Sequence, residues 1–204
     1  MTNSLGKREQ NRARKRAEIV QIAAYSFFEH GYGATSMSAI AEELGGSKAT
    51  LWAHFSSKVE LLAAVIDKLV QSFSQDIEEV LAGQTFSLPT LRRLLILYLD
   101  RLMGENALRL FNLVMSEGAR FPEISEMFYA RGPATARRRI VDFYATRFPE
   151  EVAMKLTRLT LAAASGYRMD FLMRPKPPSM AEREAFVDSF VELIDAWIET
   201  HAEE

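Results

Sequence analysis

The sequence predicts an all-α protein of about nine helices, in which a small N-terminal three-helix domain precedes a larger helical bundle. Apolar residues recur at spacings of three and four along nearly the whole chain, and no segment shows the strict alternation typical of a strand. Glycines and prolines stand between these periodic segments, where they end helices. With 204 residues, of which 48% are hydrophobic and 25% are charged, the chain has the composition of a folded globular protein.

The first two helices have recognisable caps. The apolar face of the first helix is formed by Ile19, Ile22, Ala23 and Phe27. Gly31 follows at the position where a left-handed C-cap residue belongs. The apolar face of the second helix is formed by Met37, Ile40, Ala41 and Leu44. Ser36 precedes this helix as an N-cap, which completes a helix pair with local start and stop signals.

Two further helices complete the N-terminal part of the chain. Ser47 is placed to cap a short third helix that runs to about Phe55. Ser57 and Glu60 have the spacing of a capping box, which predicts a long fourth helix to about Leu81. We place the boundary between the two domains at the start of this helix, which gives domains 1–57 and 58–204.

The remaining sequence predicts helices joined by short connections that contain glycine or proline. These helices cover about 88–103, 107–119, 123–148, 151–173 and 180–200. Gly132-Pro133 should break or kink the third of them, because proline lacks the backbone donor that a helix interior needs. Ser179 and Glu182 form a second capping box ahead of the last helix.

Charge is distributed unevenly along the chain. Residues 1–58 contain eight Lys/Arg and five Asp/Glu, whereas the rest contains 17 basic and 22 acidic residues. Six of the basic residues lie within the first sixteen, namely Lys7, Arg8, Arg12, Arg14, Lys15 and Arg16. A basic end on an otherwise acidic chain indicates contact with a polyanion, although a merely solvated terminus has the same composition.

Composition argues against several functional classes. Cysteine is absent, and His30, His54 and His201 lie far apart in the sequence, so we predict neither a metal site nor a thiol nucleophile. A Glu-x-x-His pair, a Gly-x-Ser-x-Gly elbow and a phosphate loop are also absent, so we predict neither an enzyme nor a cofactor. No apolar run is long enough for a bilayer and the N-terminus lacks a signal segment, which favours a cytoplasmic protein without membrane contact.

Residues 37–56 carry the most specific pattern, which is that of a helix-turn-helix. Ala41, Gly45 and Leu51 stand at relative positions 5, 9 and 15 of this window. The small Ala41 lets the second helix cross closely, Gly45 supplies a positive φ in the turn, and Leu51 packs inward. The outward face of the second helix carries Lys48, Thr50, Trp52 and His54. Such side chains suit a DNA major groove, whereas an ordinary αα-corner is the alternative.

Around this window the sequence resembles the DNA-binding domain of the tetracycline-repressor (TetR) family. The similarity covers about residues 15–65 and is carried by 31–41 (GYGATSMSAIA) and 47–62 (SKATLWAHFSSKVELL). A weaker similarity to the C-terminal domain of AefR-like members is carried by 110–123 (LFNLVMSEGARFPE), Phe128-Tyr129 and Gly132-Pro133. The all-helical remainder also fits a helix-turn-helix DNA-binding domain followed by an effector-binding and dimerisation domain.

The resemblance implies which residues contact DNA. They are Thr35, Ser36, Ser38, Lys48, Ala49, Thr50, Trp52, His54 and Lys58. In the family pattern, Ser36 and Ser38 belong to the first turn of the supporting helix, whereas Trp52, His54 and Lys58 match phosphate contacts. Lys58 also begins a helix, where backbone N–H groups and the helix dipole favour an anion.

Three residues depart from the family pattern. Trp52 replaces a tyrosine, so the hydroxyl contact becomes at best an indole N–H contact. Ser38 stands where an arginine is common, which weakens direct reading of guanine. Gly46 replaces a branched apolar residue and should loosen the turn. These departures leave the operator sequence open.

The C-terminal part is rich in aromatic and methionine side chains. In the TetR family such residues often line a cavity for an apolar or amphipathic effector, and these linings repack easily. The resemblance therefore implies an effector site lined by Leu69, Phe73, Met103, Phe111, Met115, Phe128, Tyr129, Phe143, Tyr167 and Phe171. Ordinary core packing is the alternative for each of them.

The last two helices carry apolar stripes that favour a homodimer. One stripe is formed by Leu156, Leu159, Thr160, Ala163 and Tyr167, beside a patch of small residues at 162–166. The other is formed by Phe186, Phe190, Leu193 and Trp197. We expect the interface to include Leu156, Leu159, Ala163, Phe190, Leu193 and Trp197, unless both stripes only cover the core of one chain.

Together these features predict a ligand-responsive transcriptional regulator, most simply a repressor that a small apolar or amphipathic effector releases from a palindromic operator. Its expected partners are double-stranded operator DNA, the effector and a second copy of the chain. An effector-independent DNA-binding or architectural protein is the main alternative, which a bundle without an internal cavity would favour. A helical-bundle enzyme is a third possibility without a supporting motif.

Overall fold

The computed structural model describes residues 2–45 and 48–201, and every regular element within these ranges is an α-helix. The helices are α1 (Thr2–His30), α2 (Met37–Glu43), α3 (Lys48–Trp52), α4 (Lys58–Leu81), α5 (Leu88–Leu102), α6 (Glu105–Glu117), α7 (Pro122–Arg131), α8 (Pro133–Ala145), α9 (Glu150–Met173) and α10 (Met180–His201). The predicted all-α class is confirmed. Among the helices described, none is both long and apolar enough to cross a membrane.

Several helix ends follow the local chemistry that the sequence predicts. Gly31 has a φ of +82° directly after α1. The Ser36 hydroxyl accepts the Ala39 N–H at 3.1 Å and so caps α2. Ahead of α10, the Ser179 N–H donates to the Glu182 carboxylate at 2.8 Å, and the Glu182 N–H donates to the Ser179 hydroxyl at 3.2 Å. This capping box is complete, because each residue satisfies the backbone of the other.

The third helix and its surroundings differ from the prediction. α3 ends at Trp52, about one turn earlier than expected. The chain then turns, with the N–H groups of His54 and Phe55 both donating to the Leu51 carbonyl at 3.0 Å. This turn places the Phe55 ring in the core instead of on a helix face. Gly46 and Ser47, for which we predict a turn and a cap, lie outside the described residues.

One compact unit consists of Met1–Val70 and Arg109–Arg131. Its fully buried apolar side chains come from α1, α2, α3, α4 and α7 and include Ile19, Phe27, Ile40, Leu51, Leu62 and Ile124. Burial of each such side chain stabilises the fold by about 1.5–3 kcal/mol. Because a three-helix domain of this size has little core of its own, the contribution of α4, α6 and α7 fixes the position of the helix-turn-helix.

The other compact unit consists of Gln71–Leu108 and Gly132–Glu204. Within it, α8 packs against α9, and α5 packs against α9 and α10. The rings of Phe143, Tyr144 and Phe148 surround that of Phe86, with centroid distances of 5.4, 5.3 and 5.1 Å. The buried Tyr144 hydroxyl is hydrogen-bonded to Thr160 at 2.8 Å, so this polar group has a partner inside the core.

These packing units do not coincide with the predicted domains 1–57 and 58–204. The first half of α4 and residues 109–131 share their core with α1, α2 and α3, so both α4 and α6 pass from one unit to the other. The predicted boundary at residue 57 therefore remains a proposal about function. The packing units have other boundaries.

Candidate functional site

Helices α2 and α3 form the helix-turn-helix with the packing that the sequence predicts. Ala41 is 1% exposed and Leu51 is 0% exposed. Gly45 has a φ of +62° in the turn after α2, a conformation that costs residues with a Cβ atom about 1–2 kcal/mol. α2 packs against both α1 and α3. The steric role of each of the three motif residues is thus confirmed.

Three of the five residues of α3 are exposed to solvent and form its outer face. Lys48 and Ala49 are exposed, and the Trp52 indole is 52% exposed, an unusual position for a large aromatic ring. Thr50, by contrast, is half-buried. The face that α3 can present to a major groove is therefore formed by Lys48, Ala49 and Trp52, with Leu51 on the opposite side.

The three hydroxyl residues ahead of α3 have different environments. Thr35 is buried, and its hydroxyl donates to the carbonyl of Gly31 at 2.8 Å and lies 3.1 Å from that of Ser26. Because this hydroxyl is used inside the domain, we place Thr35 in the scaffold of the α1–α2 connection instead of at the DNA face. Ser36 is exposed but caps α2, and Ser38 is exposed in the first turn of that helix.

The Lys58 side chain is also held inside the domain. Its ammonium group donates to the carbonyls of Tyr32 at 2.8 Å and Thr35 at 2.9 Å, and lies 4.3 Å from the centre of the Tyr32 ring. Burial lowers the pKa of Lys58, whereas the negative charges of Glu117 and Glu123 oppose that shift. Two of the three ammonium N–H groups thus stabilise the α1–α2 connection, a structural role that the predicted phosphate contact did not include.

Basic residues of α1 lie beside the end of α3. The Arg16 guanidinium stacks on the Phe55 ring, with 4.5 Å between its central carbon and the ring centroid. Burial lowers the pKa of His54, and the positive charges of Arg12, Arg16 and Lys15 lower it further. In the chain without DNA these effects favour the neutral form of His54. The basic N-terminal segment thus acts electrostatically next to the helix-turn-helix.

Lys48→Ala should weaken DNA binding, whereas Lys58→Ala should lower the stability of the fold. Lys48 is exposed, so its loss should weaken binding to specific and random DNA alike and flatten the salt dependence by about one contact. Lys58→Ala leaves two carbonyls without a donor and should lower the free energy of unfolding by about 1–3 kcal/mol. Urea unfolding and fluorescence anisotropy at several salt concentrations measure the two effects, with Lys68→Ala as an exposed control on α4. Wild-type stability with a flatter salt dependence in Lys58→Ala would instead support a phosphate contact.

The ten predicted effector-lining residues divide between the two units. Leu69, Phe111, Met115, Phe128 and Tyr129 lie in the first, and Phe73, Met103, Phe143, Tyr167 and Phe171 lie in the second. Met103, Phe143 and Tyr167 are buried in a core, whereas Met115 is 66% exposed and Tyr129 is 53% exposed. These ten residues therefore occupy different environments, and their contact with an effector remains a prediction.

The second unit has an open cleft of about 260 Å³. It is lined by Glu78, Leu81, Ala82, Gln84, Arg139, Asp142, Phe143 and Thr146. Of these, Phe143 alone belongs to the predicted effector-lining set. An ion pair of 3.0 Å between Arg139 and Glu78 belongs to its wall. Its volume is slightly below the range of about 300–1,000 Å³ that is typical of small-molecule sites.

The predicted dimer residues divide into exposed and buried positions. Leu159 is 53% exposed and Leu193 is 69% exposed, so both can meet a partner chain. Ala163, Phe190 and Trp197 are half-buried. Leu156 is 1% exposed and belongs to the core of the second unit, so we place it there instead of at an interface. Three residues along a helix differ by about 60° in direction, which is enough to separate core from surface.

Two family models match the chain. The model described as "Bacterial regulatory proteins, tetR family" matches residues 19–65, which contain the helix-turn-helix. The model described as "AefR-like transcriptional repressor, C-terminal domain" matches residues 89–197, more than half of the 204 residues.

Individual proteins show the same similarity. The HTH-type transcriptional activator FasR of Mycolicibacterium smegmatis is 33% identical over 89 residues, which are 44% of this chain and 41% of that protein. The match thus spans about two fifths of that relative. The crystal structure of a TetR-family transcriptional regulator from Mesorhizobium loti has a TM-score of 0.69 at 27% identity, covering 93% of this chain and 97% of that chain. The flavonoid-responsive regulator FrrA has a TM-score of 0.63 at 27% identity, covering 88% and 95%.

Proposed function

Because the chain belongs to the TetR family of bacterial transcriptional regulators, we propose that it is a repressor that leaves its operator when a small molecule binds. DNA-binding regulation is the property of this family, which consists of regulators and not of enzymes. Repression is favoured by the AefR-like repressor model over the C-terminal part, although FasR is named as an activator. Such a protein acts on DNA in the cytoplasm.

The observation that carries the DNA-binding part is the outer face of α3. Lys48, Ala49 and Trp52 are exposed there without a role in the core. Arg12 and Arg16 of α1 lie close enough to the end of α3 to lower the pKa of His54. An exposed helix fits the width of a major groove, and the arginines beside it are attracted by the negative charge of the phosphates.

A homodimer would place two such helices on one operator. The exposed apolar side chains Met154, Leu159 and Leu193 and the exposed small residues Ala162, Ser165 and Gly166 lie on α9 and α10. A two-fold interface made of these helices would repeat the recognition helix at a spacing of about 34 Å, one turn of DNA. The operator would accordingly be palindromic.

Response to an effector requires a link between α6, α7 and the helix-turn-helix, and the first unit contains one. The Gly33 N–H donates to the Glu117 carboxylate at 3.3 Å, and the rings of Tyr32 and Phe121 meet edge-to-face at 5.1 Å. Two ion pairs add to this attachment, Arg109–Glu29 at 2.9 Å and Arg131–Asp67 at 2.6 Å. An effector that displaces α6 or α7 would therefore move the α1–α2 connection and lower operator affinity.

An effector-independent DNA-binding protein is the second candidate. It is favoured by the close packing of predicted lining residues, since Phe143 is 3% exposed and Tyr167 is 7% exposed. An effector would have to displace such side chains on binding. Aromatic and methionine side chains can repack in this way, so close packing in the free chain does not decide between the candidates.

Gel shifts on the DNA upstream of the protein's own gene, with and without a panel of lipophilic compounds, test the proposal. Specific binding that one or more compounds release supports a ligand-responsive repressor. Specific binding that no compound changes supports the second candidate. Binding that is equal on random DNA contradicts both the operator and the repressor function.

The continuous helix α4 should transmit the effector signal as a rigid rod. It runs over Lys58–Leu81, and Lys68 is exposed near its middle. We expect Lys68→Gly to weaken the helix by about 1 kcal/mol relative to Lys68→Ala, which removes the same charge. Operator affinity with and without a releasing compound from the panel should then change less in Lys68→Gly than in Lys68→Ala. If the compound lowers operator affinity by the same factor in both folded, dimeric variants, the signal does not depend on the rigidity of α4.

A further inference from the structure

Helix α1 extends beyond the core of the first unit. From Gly6 to Glu18 every residue is exposed except Lys15, which is half-buried, and the buried core begins at Ile19. This stretch, the α1 extension, is about 20 Å long at a rise of 1.5 Å per residue. It precedes residue 19, where the match to the TetR family model begins. Because the α1 extension contributes no fully buried side chain, core packing does not account for its sequence.

Four of the six basic side chains of the α1 extension share one side of the helix. Side chains three or four positions apart lie on the same face of a helix. The side chains with this spacing form the basic stripe, which consists of Arg8, Arg12, Lys15 and Arg16. Ile19 and Ala23 continue the spacing and are fully buried, so the basic stripe prolongs the core-facing side of α1. Lys7 and Arg14 point away from it, in line with the exposed Tyr25.

The basic stripe starts beside the end of α3. The central carbon of the Arg16 guanidinium lies 4.5 Å from the centre of the Phe55 ring. Phe55 follows closely after Trp52, the last residue of α3. Arg12 and Arg8 lie about one and two helical turns further toward the N-terminus on the same side, so the stripe leads about 12 Å away from this contact. It thus forms a row of positive charges that begins at the helix-turn-helix.

A row of arginines is unfavourable in the free chain and suits a polyanion. Like charges four positions apart on a helix repel each other, and a bound polyanion offsets that repulsion. Gly6, Ala13 and Ala17 are the only apolar residues from 6 to 18, so this stretch lacks the large apolar face with which a helix binds a membrane. Each strand of duplex DNA carries one charge per about 3.4 Å of helix axis, so 12 Å corresponds to about 3–4 base pairs. Duplex DNA therefore fits the basic stripe better than a lipid surface does.

We infer that the basic stripe is a second DNA-contacting element, whose arginines bind backbone phosphates next to the base pairs that α3 contacts. Guanidinium groups suit this task, because their paired N–H donors match the oxygens of a phosphate. Phosphate contacts carry no direct sequence information, so the stripe adds affinity and lengthens the bound segment by about 3–4 base pairs without adding specificity. The inference rests on the proposed function, since α3 must bind the same DNA.

Two double variants of the full chain separate the basic stripe from general electrostatic attraction. The stripe variant, Arg8→Gln with Arg12→Gln, removes two charges from the stripe. The control variant, Lys7→Gln with Arg14→Gln, removes two charges from the other side of the same helix. All four side chains are exposed and glutamine has a similar helix propensity, so both variants should melt like the wild type. Arg16 is kept, because its guanidinium stacks on a ring of the core.

Fluorescence anisotropy with a random-sequence duplex of about 30 base pairs, at salt concentrations from about 50 to 200 mM, measures the number of phosphate contacts. Each lost contact flattens the salt dependence by about 0.9, so the stripe variant should lose about 1.8. Over this range of salt, the affinity of the wild type should therefore fall by a factor about tenfold larger than that of the stripe variant. The control variant should keep the wild-type slope. Equal slopes in the two double variants would overturn the inference.

Hydroxyl-radical footprints on the DNA upstream of the protein's own gene locate the contact. The wild type should protect about 3–4 base pairs that the stripe variant leaves open, beside a segment that both protect. The same footprint for both proteins would overturn the inference. Vesicles of phosphatidylglycerol test the lipid alternative. Vesicle binding that the stripe variant loses, together with an unchanged footprint, would assign the stripe to a membrane surface instead.

The basic stripe and the repressor function can fail separately. A flatter salt dependence of the stripe variant on random DNA, with no specific binding to the upstream DNA, would support the stripe and contradict the repressor. Specific binding that a compound releases, with equal slopes in the two double variants, would support the repressor and contradict the stripe.

Discussion

The Ala49→Glu variant is expected to lose operator affinity by about 100-fold or more while it folds like the wild-type chain. Ala49 is exposed at the second position of α3, so the new carboxylate lies in water in the free protein. On DNA it would face phosphates and acceptor groups of the bases, and like charges across an interface cost several kcal/mol. An acidic side chain in the first turn of a helix is favourable, so the melting temperature should not fall.

The chain offers a matched control for this variant. Ala181 is exposed at the second position of α10, so Ala181→Glu introduces the same side chain at an equivalent place in another helix. Anisotropy titrations with operator DNA and thermal melting by circular dichroism compare the variants. Ala181→Glu should bind like the wild type. Undiminished binding by Ala49→Glu would move the DNA contact away from α3.

The features that the sequence predicts best are those with local causes. The C-cap at Gly31, the N-cap at Ser36 and the capping box of Ser179 and Glu182 depend on residues within four positions of each other. The helix-turn-helix pattern is similarly local, since the steric requirements on Ala41 and its neighbours fall within twenty residues. Such features can be predicted from one sequence, because the interacting residues are only a few positions apart.

The features that escape prediction have distant partners. Lys58 is bound to carbonyls 26 and 23 residues away, which only the packing of α4 against the α1–α2 connection brings within reach. The Thr35 hydroxyl likewise lies within hydrogen-bonding distance of the Ser26 carbonyl, nine residues away. A family pattern names the residue type at such positions without showing which internal groups compete for it.

Periodicity also leaves open which core a helix joins. The aromatic and methionine residues between positions 103 and 173 follow helical spacing throughout, yet Phe128 packs in the first unit and Phe171 in the second. The spacing of apolar residues shows which face of a helix is buried. Which other helices cover that face depends on tertiary packing.

Leu193→Glu is expected to turn a dimer into a monomer and to remove high-affinity operator binding with it. Leu193 is 69% exposed on α10, so a glutamate is well tolerated by a single chain. In a two-fold interface the substitution acts twice, and each buried carboxylate without a partner costs several kcal/mol. The dimer dissociation constant should therefore rise by about 1,000-fold or more. A monomer would reach one half-site only and lose the contacts of the second recognition helix.

Light scattering and operator titrations at the same protein concentration measure both effects of Leu193→Glu. The wild type should scatter as twice 23.1 kDa and the variant as one chain. Met115→Glu is the control, because Met115 is 66% exposed but belongs to the first unit, whereas α9 and α10 belong to the second. It should remain dimeric. A dimeric Leu193→Glu variant would show that the second copy binds elsewhere, and a monomeric wild type at micromolar concentration would remove the dimer from the mechanism altogether.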